Sequence, residues 1–205
     1  MSSPLPAMSA LHGLALPGRY GRTDGEPGVV IGERVGLGVA TVACRKGQDD
    51  GLKASVREAY GVELPLTSTV TRGKDVSFIG TGPGQWLAVS ETLGNETLAE
   101  DLAAKLAGLA SISDQSGGRA VIGLSGPRAR DVLAKGLAID LDPRAFPPGS
   151  AATSTISHMG VQIWQLDDTQ SYDIAIFRSV APSFWRWLTS SAAEFGYQVA
   201  SRNST

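Results

Sequence analysis

Two stretches of this chain repeat one pattern of apolar spacing, and the repetition restricts the folds open to it. Residues 76–108, VSFIGTGPGQWLAVSETLGNETLAEDLAAKLAG, run strand, turn, strand, helix, glycine. Residues 161–196, VQIWQLDDTQSYDIAIFRSVAPSFWRWLTSSAAEFG, run through the same order. A shorter pair, LKASVREAYGVELP and PRARDVLAKGLAIDLDP, shares a short helix, a glycine, an aliphatic pair, an acidic residue and then proline. Few residues are identical, so the repeat is one of pattern. It predicts an α+β domain of internally duplicated β-α-β-β-α halves sharing a mostly antiparallel sheet.

The elements follow from periodicity and punctuation. Val29–Ile31 and Val35–Cys44 are predicted strands, as are 75–79, 86–89, 111–112, 120–124, 153–158, 161–166, 172–177 and 197–200. A helix is predicted over 49–60, where Leu52, Val56 and Tyr60 recur every four residues. Asp49 or Asp50 is its expected N-cap, and Gly61 its terminator. Asn95 is the expected cap of a second helix striped by Leu98, Leu102, Leu106 and Leu109, with Asp101 and Lys105 paired one turn apart. Pro127 suits the first position of a third helix running to Lys135, ended by Gly136. Pro182 opens a fourth, ended by Gly196. Residues 1–27 hold four Gly and four Pro, and predict an extended N-terminal tail that orders, if at all, on a partner. The expected divisions are therefore a tail over 1–27, one duplicated domain over 28–200 and a C-terminal tail over 201–205.

Composition removes several functional classes. One cysteine among 205 residues allows no internal disulfide, and with two histidines no zinc cluster or iron–sulfur site. The net charge of −2 argues against broad binding to nucleic acid. The first residues carry no positive charge before Arg19, which is poor signal-peptide chemistry, and no apolar run approaches the ~20 residues of a membrane span. A cytoplasmic location, with no membrane association, is expected.

The loops offer little reactive chemistry. Gly80–Gly84 lacks the last glycine of a dinucleotide fingerprint, since Gln85 stands there and a strand follows; a hairpin turn is expected. His12 lies in the tail and His158 at a strand end, so neither is placed as the base of a serine triad. Leu124-Ser125-Gly126 lacks a nucleophile elbow. Asp140 and Asp142, and Asp167 and Asp168, have the spacing of turn-forming side chains. Asp114-Gln115-Ser116-Gly117-Gly118 is the most site-like loop, although an ordinary turn explains it too. No catalytic, cofactor-binding or metal-binding residue is therefore assigned. On the fourth helix Phe184, Leu188, Ala192 and Phe195 share one face, while Trp185 and Trp187 fall on opposite flanks. A partner surface covering one tryptophan, and both folding over the core edge, are the two explanations open.

Residues 113–188 resemble the gamma subunit of heterotetrameric sarcosine oxidase. The resemblance rests on Leu124-Ser-Gly-Pro-Arg128, on Asp140-Leu-Asp-Pro143 followed by Phe146-Pro147, and on Phe177-Arg178-Ser179 before an aromatic helix. Gly84-Gln-Trp-Leu87 fits it as well, and it extends over nearly all the chain from about residue 28. It implies a noncatalytic subunit supporting assembly of a flavin enzyme. That enzyme oxidatively demethylates sarcosine to glycine, with hydrogen peroxide and formaldehyde or methylene-tetrahydrofolate as products. It implies alpha, beta and delta subunits as partners, with FAD, FMN, NAD, tetrahydrofolate and zinc held by them and no cofactor by this chain. The fold implied is similar to the folate-binding domain of aminomethyltransferases. Asp114 and Ser116 stand where related folate proteins carry Asp-x-Ser, but no folate role is transferred to them. Cys44, followed by Arg45-Lys46-Gly47, departs from the signature of a related iron–sulfur maintenance protein. The alternative function is a standalone folate-binding one-carbon transfer protein.

Overall fold

The computed structural model describes residues 8–200, with the backbone alone for Glu96. The architecture is two sheets packed face to face, each carrying helices on its outer side. One sheet has seven strands in the spatial order β1 (Gly18–Tyr20), β12 (Tyr197–Val199), β2 (Val29–Glu33), β8 (Arg119–Ser125), β11 (Tyr172–Phe177), β10 (Met159–Gln165) and β9 (Ala151–Ile156). The other has five, in the order β4 (Val70–Arg72), β5 (Ser77–Gly82), β6 (Gln85–Ser90), β3 (Gly38–Cys44) and β7 (Ala110–Asp114). All neighbouring strands are antiparallel except β12 and β2. The α+β class and the antiparallel pairing agree with the sequence. The expected single shared sheet does not: there are two.

The reason lies in which faces are apolar. Along β8, Ala120, Ile122 and Leu124 point outward into one core while Val121 points into the seam between the sheets. Along β6, Trp86 and Ala88 point outward and Leu87 into the seam. Both faces of the central strands are thus buried, and each sheet must be covered twice. Leu37, Val39, Ile79 and Leu87 meet Val121, Ala151, Trp164 and Ala175 in the seam.

The helices form the outer layers. Helix α1 (Asp49–Tyr60) buries Leu52 and Val56, and α2 (Asn95–Lys105) buries Leu98 and Leu102 against the five-stranded sheet. Helices α3 (Ala129–Ala134) and α4 (Ala181–Ala192) cover the seven-stranded sheet with Val132, Leu133, Phe184 and Leu188. Gly61 ends α1 in the left-handed region at φ 69°, its N–H bonded to the Arg57 carbonyl, as expected. The caps differ from expectation. Gln48 precedes α1, with Asp49 and Asp50 in its first turn facing the positive end of the helix dipole. Gly94 precedes α2, and Asn95 takes φ 40° as its first residue. The third helix is shorter than 127–135. Val35 and Gly36 form a turn between β2 and β3, so these strands part company and enter different sheets.

The N-terminal segment also departs from expectation. Residues 1–7 and the expected C-terminal tail over 201–205 lie outside the described residues. From Met8 onward the chain packs on its own domain rather than extending from it. Leu11 is buried in the same core cluster as Phe184 and Leu188, and β1 adds a strand beside β12. The Glu33 carboxylate accepts the N–H groups of Ala10 (2.9 Å) and Leu11 (3.3 Å) and the Ser9 hydroxyl, closing the turn that inserts Leu11. Leu11→Ala is expected to lower stability by about 2–5 kcal/mol in urea denaturation, the cost of an emptied core position. An unchanged midpoint would mean that the segment does not dock.

Candidate functional site

The loops singled out in the sequence are tied down by their own backbones. In 114–118, the Ser116 hydroxyl donates to Asp114 Oδ1 (2.7 Å) and accepts the Val39 N–H (3.0 Å), while the Ser116 N–H donates to the same Asp114 oxygen (3.0 Å). This pair pins β7 to β3. Asp140 Oδ1 accepts the Asp142 N–H at 2.8 Å. Asp142 accepts the Arg144 N–H and guanidinium, both at 2.9 Å, and the guanidinium holds its carboxyl below the usual range. Asp167 accepts from the Thr169 hydroxyl, which lowers its pKa in the same way. Asp168 lies in the same turn. These are turn-forming contacts, as expected.

The remaining candidates stand apart from one another. His12 is exposed in the turn around Leu11. Ser157 (φ 46°) and His158 (φ 69°) form the two-residue hairpin between β9 and β10, which corrects the strand end expected at 158. Gly82 pairs with Gln85 across the hairpin of β5 and β6, so the expected hairpin is present, but its turn is Pro83 and Gly84 alone and Gly80–Gly82 belong to β5. Desolvation and nearby Asp49 raise the Cys44 thiol above its ordinary pKa, the opposite of an activated nucleophile. Trp185 is buried, and half-buried Trp187 lies against Gly136 and the Phe184 ring, 5.7 Å between centroids. Both tryptophans therefore fold onto this chain's own core. Among the described residues no group of three or more His, Cys, Asp or Glu is placed to hold a metal ion. No described helix is long and apolar enough to cross a membrane.

The most concentrated charge cluster was not picked out in the sequence. Arg34 follows β2, Asp173 sits on β11 of the same sheet, and Glu91 follows β6 of the other sheet. Arg34 Nη1 donates to both Asp173 oxygens, at 3.2 and 3.1 Å, and Nη2 pairs with Glu91. One guanidinium therefore links the two sheets at the end of the apolar seam. Asp173 faces Gly123 across the ladder, and a Cβ on Gly123 would stand 3.5 Å from Asp173 Oδ1 and 3.7 Å from Arg34 Cδ. Both are ordinary van der Waals distances. Asp173 is 5% exposed, and burial pushes its pKa up to about 6 despite the pull of Arg34; Glu91 adds to the rise. Two hollows, of about 440 and 460 Å³, share Arg34, Glu91 and Asp173 as a common wall. The lining of the first also includes Gly32, Ser125 and Ser171, and that of the second Arg72, Lys74 and Asp75. Chemically this is a buried carboxylate neutralised by a forked guanidinium, which fixes geometry across the seam.

Comparison with known proteins defines the class. The fold is that of a mixed α+β protein of the aminomethyltransferase kind: glycine cleavage system aminomethyltransferase T from Bartonella henselae aligns with a TM-score of 0.62 at 12% identity. That alignment covers 85% of this chain and 48% of that one. Heterotetrameric sarcosine oxidase from Corynebacterium sp. U-96, solved in complex with pyrrole 2-carboxylate, aligns with a TM-score of 0.77 at 25% identity. It covers 92% of this chain and 95% of the matched chain. Sarcosine oxidase subunit gamma from Corynebacterium sp. (strain P-1) is 34% identical over 144 residues, 69% of this chain and 70% of that protein. The Arthrobacter sp. subunit gamma is 32% identical over 122 residues, 58% of this chain and 59% of that protein. The sarcosine oxidase, gamma subunit family model matches residues 45–194, and the chain belongs to that family.

The raised pKa of Asp173 fixes a sign. The folded chain holds this proton more tightly than the unfolded chain, whose carboxyl titrates near 3.8. From about pH 4 to 6 the unfolded state releases it first, so this group's contribution to stability falls as pH rises through that window. Arg34→Ala strips the partner from a carboxylate that is charged above about pH 6 and neutral below it. It is expected to cost about 3–5 kcal/mol at pH 8 and markedly less at pH 5, measured by urea denaturation. Equal losses at both pH values would contradict the pairing.

Proposed function

We propose that the chain serves as a noncatalytic gamma subunit of a heterotetrameric sarcosine oxidase, acting by supporting assembly. The observation that carries this is the match of nearly the whole fold to a chain of such an enzyme, at a TM-score of 0.77, joined to the family match over 45–194. The enzyme oxidises sarcosine, with water and dioxygen, to glycine, formaldehyde and hydrogen peroxide; tetrahydrofolate takes the carbon as methylene-tetrahydrofolate instead. Alpha, beta and delta subunits are the partners, and FAD, FMN, NAD, tetrahydrofolate and zinc reside in them. The complex is cytoplasmic.

The fold is also proposed to be a duplication. Its support is the recurrence of one order: β3, α1, β4, β5, β6, α2, β7 in the first half, and β8, α3, β9, β10, β11, α4, β12 in the second. The spatial orders β4-β5-β6-β3-β7 and β9-β10-β11-β8-β12 correspond once β2, inserted between β8 and β12, is set aside. Two such halves, back to back, account for the paired sheets.

Omission tests the function. Co-expressed with the other three subunits, the chain is expected to restore a complex that oxidises sarcosine. Without it, assembly or turnover falls. Expressed alone, it is expected to show no flavin absorbance, and tetrahydrofolate titrated into it gives no saturable heat in calorimetry. Normal assembly and turnover of the other three subunits in its absence would overturn the reading.

A further inference from the structure

The end of β11 carries an aromatic ring, and beside it stand two guanidinium groups that have no acidic partner among the described residues. The first five residues of β11 are buried, but Phe177, the last, is 50% exposed. Arg119, its cross-strand neighbour, places Cζ 4.5 Å from the centroid of the Phe177 ring. Arg119 Nε is buried with no hydrogen-bond acceptor, and desolvation lowers the guanidinium pKa. Arg178, the next residue, is held by its N–H to the Gly118 carbonyl (2.9 Å) and by its guanidinium to the Met8 carbonyl. A hollow of about 260 Å³ opens between Met8, Ser9, Ser116, Arg119 and Arg178. Met8 is 62% exposed at its rim.

This site has the chemistry of an interface anchor but lacks its counter-charge. Among the described residues no carboxylate forms an ion pair with Arg119 or Arg178. Glu33, which also lines the hollow, is committed to Ser9, Ala10 and Leu11. The seven residues before Met8, MSSPLPA, contain no acidic side chain. A half-desolvated guanidinium without an acceptor is costly, and the cost is recovered when a carboxylate arrives. Arginine and aromatic side chains are also both enriched in protein interfaces. Two unpaired cations on a chain of net charge −2 are too few for a nucleic acid.

We infer that Phe177, Arg119 and Arg178 form a docking point for an acidic segment of a partner subunit, whose carboxylate enters the hollow between the arginines while an apolar neighbour covers Phe177. The inference rests on the subunit reading above and adds the face by which the chain is held.

The test uses the co-expressed complex, isolated through a tag on another subunit. Phe177→Ala removes the ring and keeps both charges; Arg178→Glu reverses one charge; Arg186→Glu, on the exposed side of α4, is the control. Retention of this chain is expected to fall at least about tenfold in the first two variants and to be unchanged in the control. Raising salt is expected to weaken the wild-type complex more than Arg178→Glu changes further. Thermal midpoints of the isolated variants establish folding. Phe177→Ala, at a half-exposed position, serves as the deciding variant if Arg178→Glu unfolds the segment around Met8. Full retention of both variants would overturn the docking point and leave the subunit reading standing. Equal loss in the control would overturn it as well. Failure of the wild-type chain to co-purify would overturn both.

Discussion

The apolar seam between the two sheets is the contact on which every other part of this structure depends. Trp164 is 3% exposed and Ala175 fully buried where they meet Ile79 and Leu87 of the facing sheet. With the inner faces joined, the outer faces remain apolar and must be covered again, which drives α1 and α2 onto one side and α3 and α4 onto the other. The seam also decides what a charge at its edge costs. Asp173 projects from the same face of β11 as Ala175, and is tolerable there only because Arg34 reaches across from the end of β2. The same guanidinium then engages Glu91 of the opposite sheet.

Much of the fold was legible because its signals are local. The spacing of Leu52 and Val56, of Leu98, Leu102 and Leu106, and of Phe184 and Leu188 marks the buried stripe of each long helix. Gly61 and Gly196, both at φ 69°, mark where helical runs stop. The number of sheets was not legible. A strand buried on both faces reads as an unbroken apolar run, so Ala120–Leu124 and Trp86–Val89 carry no alternation to reveal which face meets which layer. The N-terminal segment was hidden for a different reason. β1 is exposed at all three positions, and the docking of the arm rests mainly on one side chain, Leu11, and one remote carboxylate, Glu33.

The charge cluster was the least accessible feature, since Arg34 and Asp173 lie 139 residues apart. One signal was present: an aspartate inside the apolar run Tyr172–Phe177, where an unpaired charge would be prohibitively placed. The Asp114 and Ser116 loop shows the converse. It has the look of a site in sequence, yet its oxygens are occupied in joining β7 to β3. The Trp185 and Trp187 question was settled by packing, since α3 ends at a lysine followed by Gly136, whose missing side chain admits the Trp187 ring.

These features describe a chain whose apolar layers are closed and which presents an aromatic ring beside two guanidinium groups at its surface, around Phe177. The central claim is that it works within a heterotetramer. Native mass spectrometry of the purified complex, with every chain identified, tests this most directly. The account predicts one particle containing this chain together with three different sarcosine oxidase subunits. A chain recovered only as a monomer or as copies of itself, from cells that hold assembled sarcosine oxidase without it, would contradict it.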